Sequence, residues 1–244
     1  MVAAYIYKKQ NMIPIRDNIH CKTTPYVSWA IMVICIAIFL AMKLMPVEMQ
    51  RQLTYLYGMV PIRYSNPEWA AGFGLPPDGY FSFLSSLFLH GGWLHIIMNM
   101  WFIWIFANSI EDRMGHGRFL AFYLTCGLIA TFVQWYFDPE LTIPVVGASG
   151  AIAGFLGAYF CLYPYARVVI WFPLFLLPIF FELPAIAFLG FWVIIQIQKA
   201  TTAIMFDGVT ADVAWWAHLG GFVAGVFLHP LFIKNNSDNE SSKS

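Results

Sequence analysis

Apolar residues run along this chain in long blocks, not in short alternations. Val27 to Met45 is the first block, close to the roughly 20 apolar residues that a helix needs to cross a bilayer. Further blocks follow at Trp93 to Ile110, Phe119 to Phe137, Gly147 to Tyr163, Pro184 to Ile197 and Asp212 to Phe232. Residues 47 to 80 are more polar and carry Pro61, Pro67, Pro76, Pro77 and Asp78, so they read as a folded loop lying partly in the membrane interface. Val168 to Phe181 is apolar but short for a span, and Pro173 and Pro178 interrupt helical hydrogen bonding within it. It reads as an interfacial or partly buried connection. The expectation is an all-α membrane protein: a bundle of six transmembrane helices with a long interfacial first loop. Residues 1–26 form a cytoplasmic tail, 27–233 the membrane domain, and 234–244 a polar, disordered cytoplasmic tail.

Charge orients this arrangement. With the termini on one side, Lys8, Lys9, Arg16, Lys22, Arg113, Arg118, Arg167, Lys234 and Lys243 share that side, against Lys43, Arg51, Arg63 and Lys199 on the other. Nine against four favours both termini in the cytoplasm. The expected setting is the cell membrane, multi-pass, with the first span directing insertion, since no cleavable leader is visible. Composition agrees: 60% of residues are hydrophobic and 11% charged, well away from a soluble domain. Zero formal net charge gives no basic patch for nucleic acid. Cys21, Cys35, Cys126 and Cys161 share no CxxC spacing and read as inert free thiols.

Polar residues inside spans are functional suspects. His95, Asn99, Ser149 and His218 stand out, and the six-span reading places all four within roughly 10 Å of the outer surface. A serine becomes a nucleophile when a neutral imidazole accepts its proton. Ser149 lies in Gly147-Ala148-Ser149-Gly150, and His218 is followed by Gly221 and Gly225, so small residues at four-residue spacing offer a close helix seam. The Ser149 N–H at a helix start, with His95 and Asn99 one turn apart on one face, makes a plausible oxyanion site. Each of these residues also has a structural reading: Ser149 as a packing residue, His218, His95 and Asn99 as interhelical hydrogen-bonders. His90 and His95 are poorly spaced for a metal pair, and no cofactor is implied. Glu111 and Arg113 read as bracing groups at the far helix end. The block PAIAFLGFWVIIQI lacks a small-residue seam, and its bulky Phe188, Phe191 and Trp192 make it a candidate gate.

The segments FLHGGWLHIIMNM, EDRMGHGRFLAFY, VVGASGAIAGFLGAY and AHLGGFVAG, in this order, resemble the rhomboid intramembrane proteases from about Leu84 to Leu231. The resemblance implies a Ser149–His218 dyad, an oxyanion site of His95, Asn99 and the Ser149 N–H, and an aqueous cavity open to one face. It also implies transmembrane-helix proteins as substrates. A non-catalytic relative that binds membrane helices is the alternative. Three departures stand: the first loop lacks the Trp-Arg pair often found there, Ala107 replaces a usual glycine, and Ala153 sits where some members stack an aromatic on the histidine.

Overall fold

The structure, a computed structural model, describes residues 13–76, 79–174, 177–205 and 214–234. Asp212 and the expected disordered tail at 235–244 lie outside the described residues. The chain is mostly helical. A short strand, β1 (Ile13–Arg16), leads to α1 (Tyr26–Lys43). Residues 44–92 then fold into α2 (Val47–Tyr57) and several short helical turns. Helix α3 (Trp93–Met114) contains one π-turn at Ile103–Ala107. It is followed by α4 (His116–Phe137) and α5 (Ser149–Leu162). Strands β2 (Arg167–Leu174) and β3 (Leu177–Pro184) precede α6 (Ala185–Met205) and α7 (Trp215–Phe232).

Among the described residues, α1, α3, α4 and the Ala185–Thr202 part of α6 are long and apolar enough to cross a membrane. Helix α5 is apolar but only 14 residues long. It is the core of the bundle, with every residue from Gly150 to Tyr159 buried. Small residues explain this. A Cβ on Gly221 would collide with the Gly150 carbonyl, and one on Gly225 with that of Gly154, so α5 and α7 touch backbone to backbone. On its other side α5 meets α4, where a Cβ on Gly154 would run into Cys126.

The expectation of an all-α fold needs correcting. The stretch read as an interfacial or partly buried connection is a hairpin, with β2 and β3 antiparallel from Arg167↔Pro184 to Leu174↔Leu177. β1 adds a third strand through Ile13↔Trp171, so part of the expected tail belongs to the sheet. Val168, Val169, Ile170, Phe180 and Phe181 are β-branched or aromatic, which suits strands, and Pro173 and Pro178 fall opposite one another near the hairpin end, where lost amide donors matter least. The N-terminal segment is further tied down. Trp101 Nε1 donates to the Pro14 carbonyl (2.5 Å). Asp17 Oδ2 accepts from Tyr159 (2.7 Å) and Ser109 (3.2 Å).

Glu111, fully buried, caps the start of α1 from a distance in sequence. It accepts from the Val27 N–H (2.9 Å), the Ser28 N–H (2.8 Å) and the Ser28 hydroxyl (2.6 Å). The two amides are donors that the first helical turn leaves without an internal partner. The long loop is built around Arg63, which is 1% exposed and donates to the carbonyls of Pro76 (2.6 Å) and Leu56 (3.2 Å).

Candidate active site

Helices α3, α5 and α7 all begin at the same end of the bundle, and α4 ends there, which gathers their terminal residues. The loop before α5 is held from both sides. Met59 and Val145 exchange backbone hydrogen bonds (3.1 and 2.7 Å), and the Gly147 N–H donates to the Ser86 carbonyl (2.9 Å). Gly147 has φ +126°, which a side chain rarely tolerates, and a Cβ there would lie 2.6 Å from His95 Nε2 and 3.4 Å from Asn99 Nδ2. Only glycine lets the chain turn into α5 directly against these two side chains.

Ser149 opens α5, and its Oγ shares a 2.9 Å hydrogen bond with His218 Nε2. The two are 69 positions apart in sequence, and the glycine seam brings them together. His95 and Asn99 face the same turn from α3. Asn99 is buried, and among the described residues its Nδ2 has no acceptor. A free, buried amide donor is suited to a developing negative charge. His90 packs its ring edge-to-face on His95, with centroids 5.2 Å apart. Burial pushes the His90 imidazole down to about 4, so it braces His95 as a neutral ring. Among the described residues no three His, Cys, Asp or Glu side chains cluster as metal ligands do.

Ala153 leaves open what steadies His218, and the answer lies on α6. Trp192 sits tilted beside the imidazole and Trp215 meets it edge-on, each with centroids 6.0 Å away. His218 Nδ1 lies 2.8 Å from Gln196 Oε1, an oxygen that can only accept. Gln134 on α4 accepts from the Ala217 N–H (3.2 Å), capping a free donor in the first turn of α7. Gln134 and Gln196 are 3% and 4% exposed. Both escaped the sequence reading, although an amide inside an apolar span was a usable signal. Of the three bulky residues on α6, Phe188 turns inward onto Phe106 and Trp192 reaches His218, which leaves Phe191 as the exposed one.

A serine hydroxyl on a histidine, amide donors opposite and a helix start beneath them form an arrangement of acyl-transfer type. The Rhomboid domain family matches residues 77–235, more than half of the 244-residue chain. The chain belongs to the rhomboid family. It is 32% identical over 151 residues to the mitochondrial Rhomboid protein 1 of Saccharomyces cerevisiae, covering 59% of this chain and 40% of that protein. It is 33% identical over 150 residues to the mitochondrial Presenilin-associated rhomboid-like protein A of Danio rerio, covering 58% and 35%. Against Rhomboid protease GluP of Bacillus subtilis it is 33% identical over 100 residues, covering 38% and 19%. The rhomboid chain thus spans less than half the length of each of these relatives. Two of the names overturn the expected cell-membrane location, since the yeast and zebrafish proteins are mitochondrial. Hydropathy and Lys/Arg asymmetry report that a chain crosses a bilayer and which way it faces, but carry nothing about which bilayer it is.

Proposed function

We propose that this rhomboid is an intramembrane serine endopeptidase that hydrolyses peptide bonds in or near the transmembrane helices of other membrane proteins. Six helices, α1 and α3 to α7, form its membrane domain. The observation that carries this reading is the 2.9 Å hydrogen bond between Ser149 Oγ and His218 Nε2 across the α5–α7 seam. Ser149 Oγ attacks the scissile carbonyl carbon while its proton passes to His218 Nε2. The resulting oxyanion is held by the Ser149 N–H, Asn99 Nδ2 and His95. The C–N bond then breaks as His218 returns the proton to the leaving amine. Water, deprotonated in turn by His218, hydrolyses the acyl-serine and restores the enzyme. A helix in lipid hides its peptide bonds, so the substrate must unwind locally before attack. The names of the yeast and zebrafish relatives point to a mitochondrial membrane as the place of action.

The test is reconstitution with a transmembrane substrate, alongside labelling by a serine-directed fluorophosphonate. The wild-type chain is expected to cleave and to be labelled. Ser149→Ala and His218→Ala are expected to lower turnover by more than about 10³-fold while leaving the fold intact. A non-catalytic helix binder would ignore the probe and show no cleavage in any form.

A further inference from the structure

The histidine of a serine dyad has two nitrogens to manage. To take the serine proton, Nε2 must present a lone pair, so the ring proton must sit on Nδ1. Something must accept that proton and hold the ring plane. We propose that Gln196 is this positioning residue, taking from helix α6 the place that a carboxylate occupies in a three-membered triad. The proposal rests on the dyad reading of Ser149 and His218.

Two contacts fix the amide the right way round. Gln196 Nε2 donates to the Trp192 carbonyl one turn earlier (3.3 Å), which directs Oε1 at His218 Nδ1 (2.8 Å). Turned the other way, the amide would set its oxygen against the Trp192 carbonyl, two acceptors face to face, so the Trp192 contact selects the orientation in which Oε1 meets the imidazole and calls for a proton on Nδ1. Burial of Gln196 makes that selection matter, because an unmet polar group away from water is costly. The chain Trp192 carbonyl, Gln196 amide, His218 imidazole, Ser149 hydroxyl is therefore continuous and has one polarity.

An amide differs from a carboxylate in one respect. It fixes the tautomer without placing a negative charge beside the imidazolium formed when Ser149 gives up its proton. His218 is faced by Ser149 from α5, by Gln196 and Trp192 from α6 and by Trp215 from its own helix. Its titratable neighbour is His95 on α3, and no carboxylate bears on it among the described residues. The orienting group also sits on α6, whose Phe191, Ile194 and Ile197 are exposed, so the base is set only while α6 is seated against α7.

The experiment uses the full chain in detergent, labelled with 15N-histidine. His218 is assigned by difference from His218→Ala, and its tautomer is read from the imidazole nitrogen shifts. Wild type is expected to carry the proton on Nδ1, and Gln196→Leu to lose that preference. In reconstituted cleavage, Gln196→Leu is expected to lower kcat about 10- to 100-fold with KM little changed. Gln196→Glu is expected to keep the tautomer and much of the activity. It should also move the acid limb of the kcat/KM profile to higher pH by about one unit or more, since a carboxylate favours the imidazolium. A proton on Nε2 in the wild type, or a Leu variant with unaltered tautomer and kcat, would overturn the proposal. If Gln196→Leu does not fold, an unshifted pH profile in Gln196→Glu overturns it instead. The nitrogen shifts need no turnover. A wild type that cleaves nothing yet shows the Gln196-dependent tautomer defeats the protease reading and leaves the positioning role standing.

Discussion

Two helix contacts meet at His218, and they are built on opposite principles. The contact between α5 and α7 is backbone against backbone: Gly150, Gly154 and Gly157 face Gly221, Phe222, Gly225 and Val226 so closely that a methyl group has no room. The contact between α6 and α7 is side chain against side chain, made near the site by Gln196 and Trp192 of α6 with His218 and Phe222 of α7. Helix α6 otherwise presents Ile186, Phe191, Ile194 and Ile197 outward. The seam fixes where Ser149 and His218 stand, with no freedom to spare. The α6 contact bears on how the His218 ring is turned, and it is made of side chains that can separate without tearing a backbone apart. Under the proposed protease activity, admission of a helical substrate from lipid gives a reason to keep these two jobs on different interfaces.

One substitution made at two places tests this contrast most severely. In Gly225→Ala the new methyl strikes the backbone of Gly154, so the seam must open. We expect a loss of about 3 kcal/mol or more and a large fall in cleavage, read by thermal unfolding in detergent and by substrate turnover. Gly190→Ala, on α6, meets nothing within 4 Å. It is expected to leave activity unchanged and to raise stability by up to about 1 kcal/mol, through helix propensity alone. Equal effects at both positions would erase the distinction between the two interfaces.

A subtler division runs along α6 itself. Phe191 is 48% exposed, whereas Trp192 packs on His218. Phe191→Ala is expected to preserve or raise cleavage of a membrane-embedded substrate, within about threefold, with fluorophosphonate labelling unchanged. Trp192→Ala removes part of the wall around the base and should slow labelling as well. Sequence alone treats these neighbours as equivalent gate residues. Comparing the two rates, with and without a bilayer to cross, separates admission from chemistry.

The smallest effect is expected at the opposite end of the bundle. Burial raises the carboxyl of Asp17 above its ordinary range, against the hydrogen bonds from Tyr159 and Ser109 that favour its charge. With the folded-state value above the unfolded one, the ionised form is the less favourable in the folded protein. Asp17 therefore costs stability as pH rises from the ordinary aspartate range through its raised value, and the cost persists above it. Asp17→Asn should flatten that dependence, giving a melting temperature at neutral pH equal to or slightly above wild type, with cleavage unaltered. A sharp loss would show that the charge, not the hydrogen bonds, holds the N-terminal segment.

A bilayer setting is legible from residue order alone, since so many apolar residues in such long runs find no other solvent. Residue order also marked Ser149, His218, His95 and Asn99, because polar groups in apolar runs and glycines at four-residue spacing are local signals. The tertiary structure decided what local signals do not carry. The hairpin over Val168–Phe181 takes a third strand from residues about 150 positions earlier, a pairing invisible in its own periodicity. Arg63 reads as an ordinary loop charge until the loop closes around it and supplies carbonyls on two sides. Ala153 removes one support for His218, and nothing near it in sequence names the replacement. Gln196 and Gln134 become specific only when another helix brings a donor within 3.2 Å. A hydrogen bond between helices depends on their rotation and depth, and those are set by packing across the whole bundle rather than by the residues on either side of the amide.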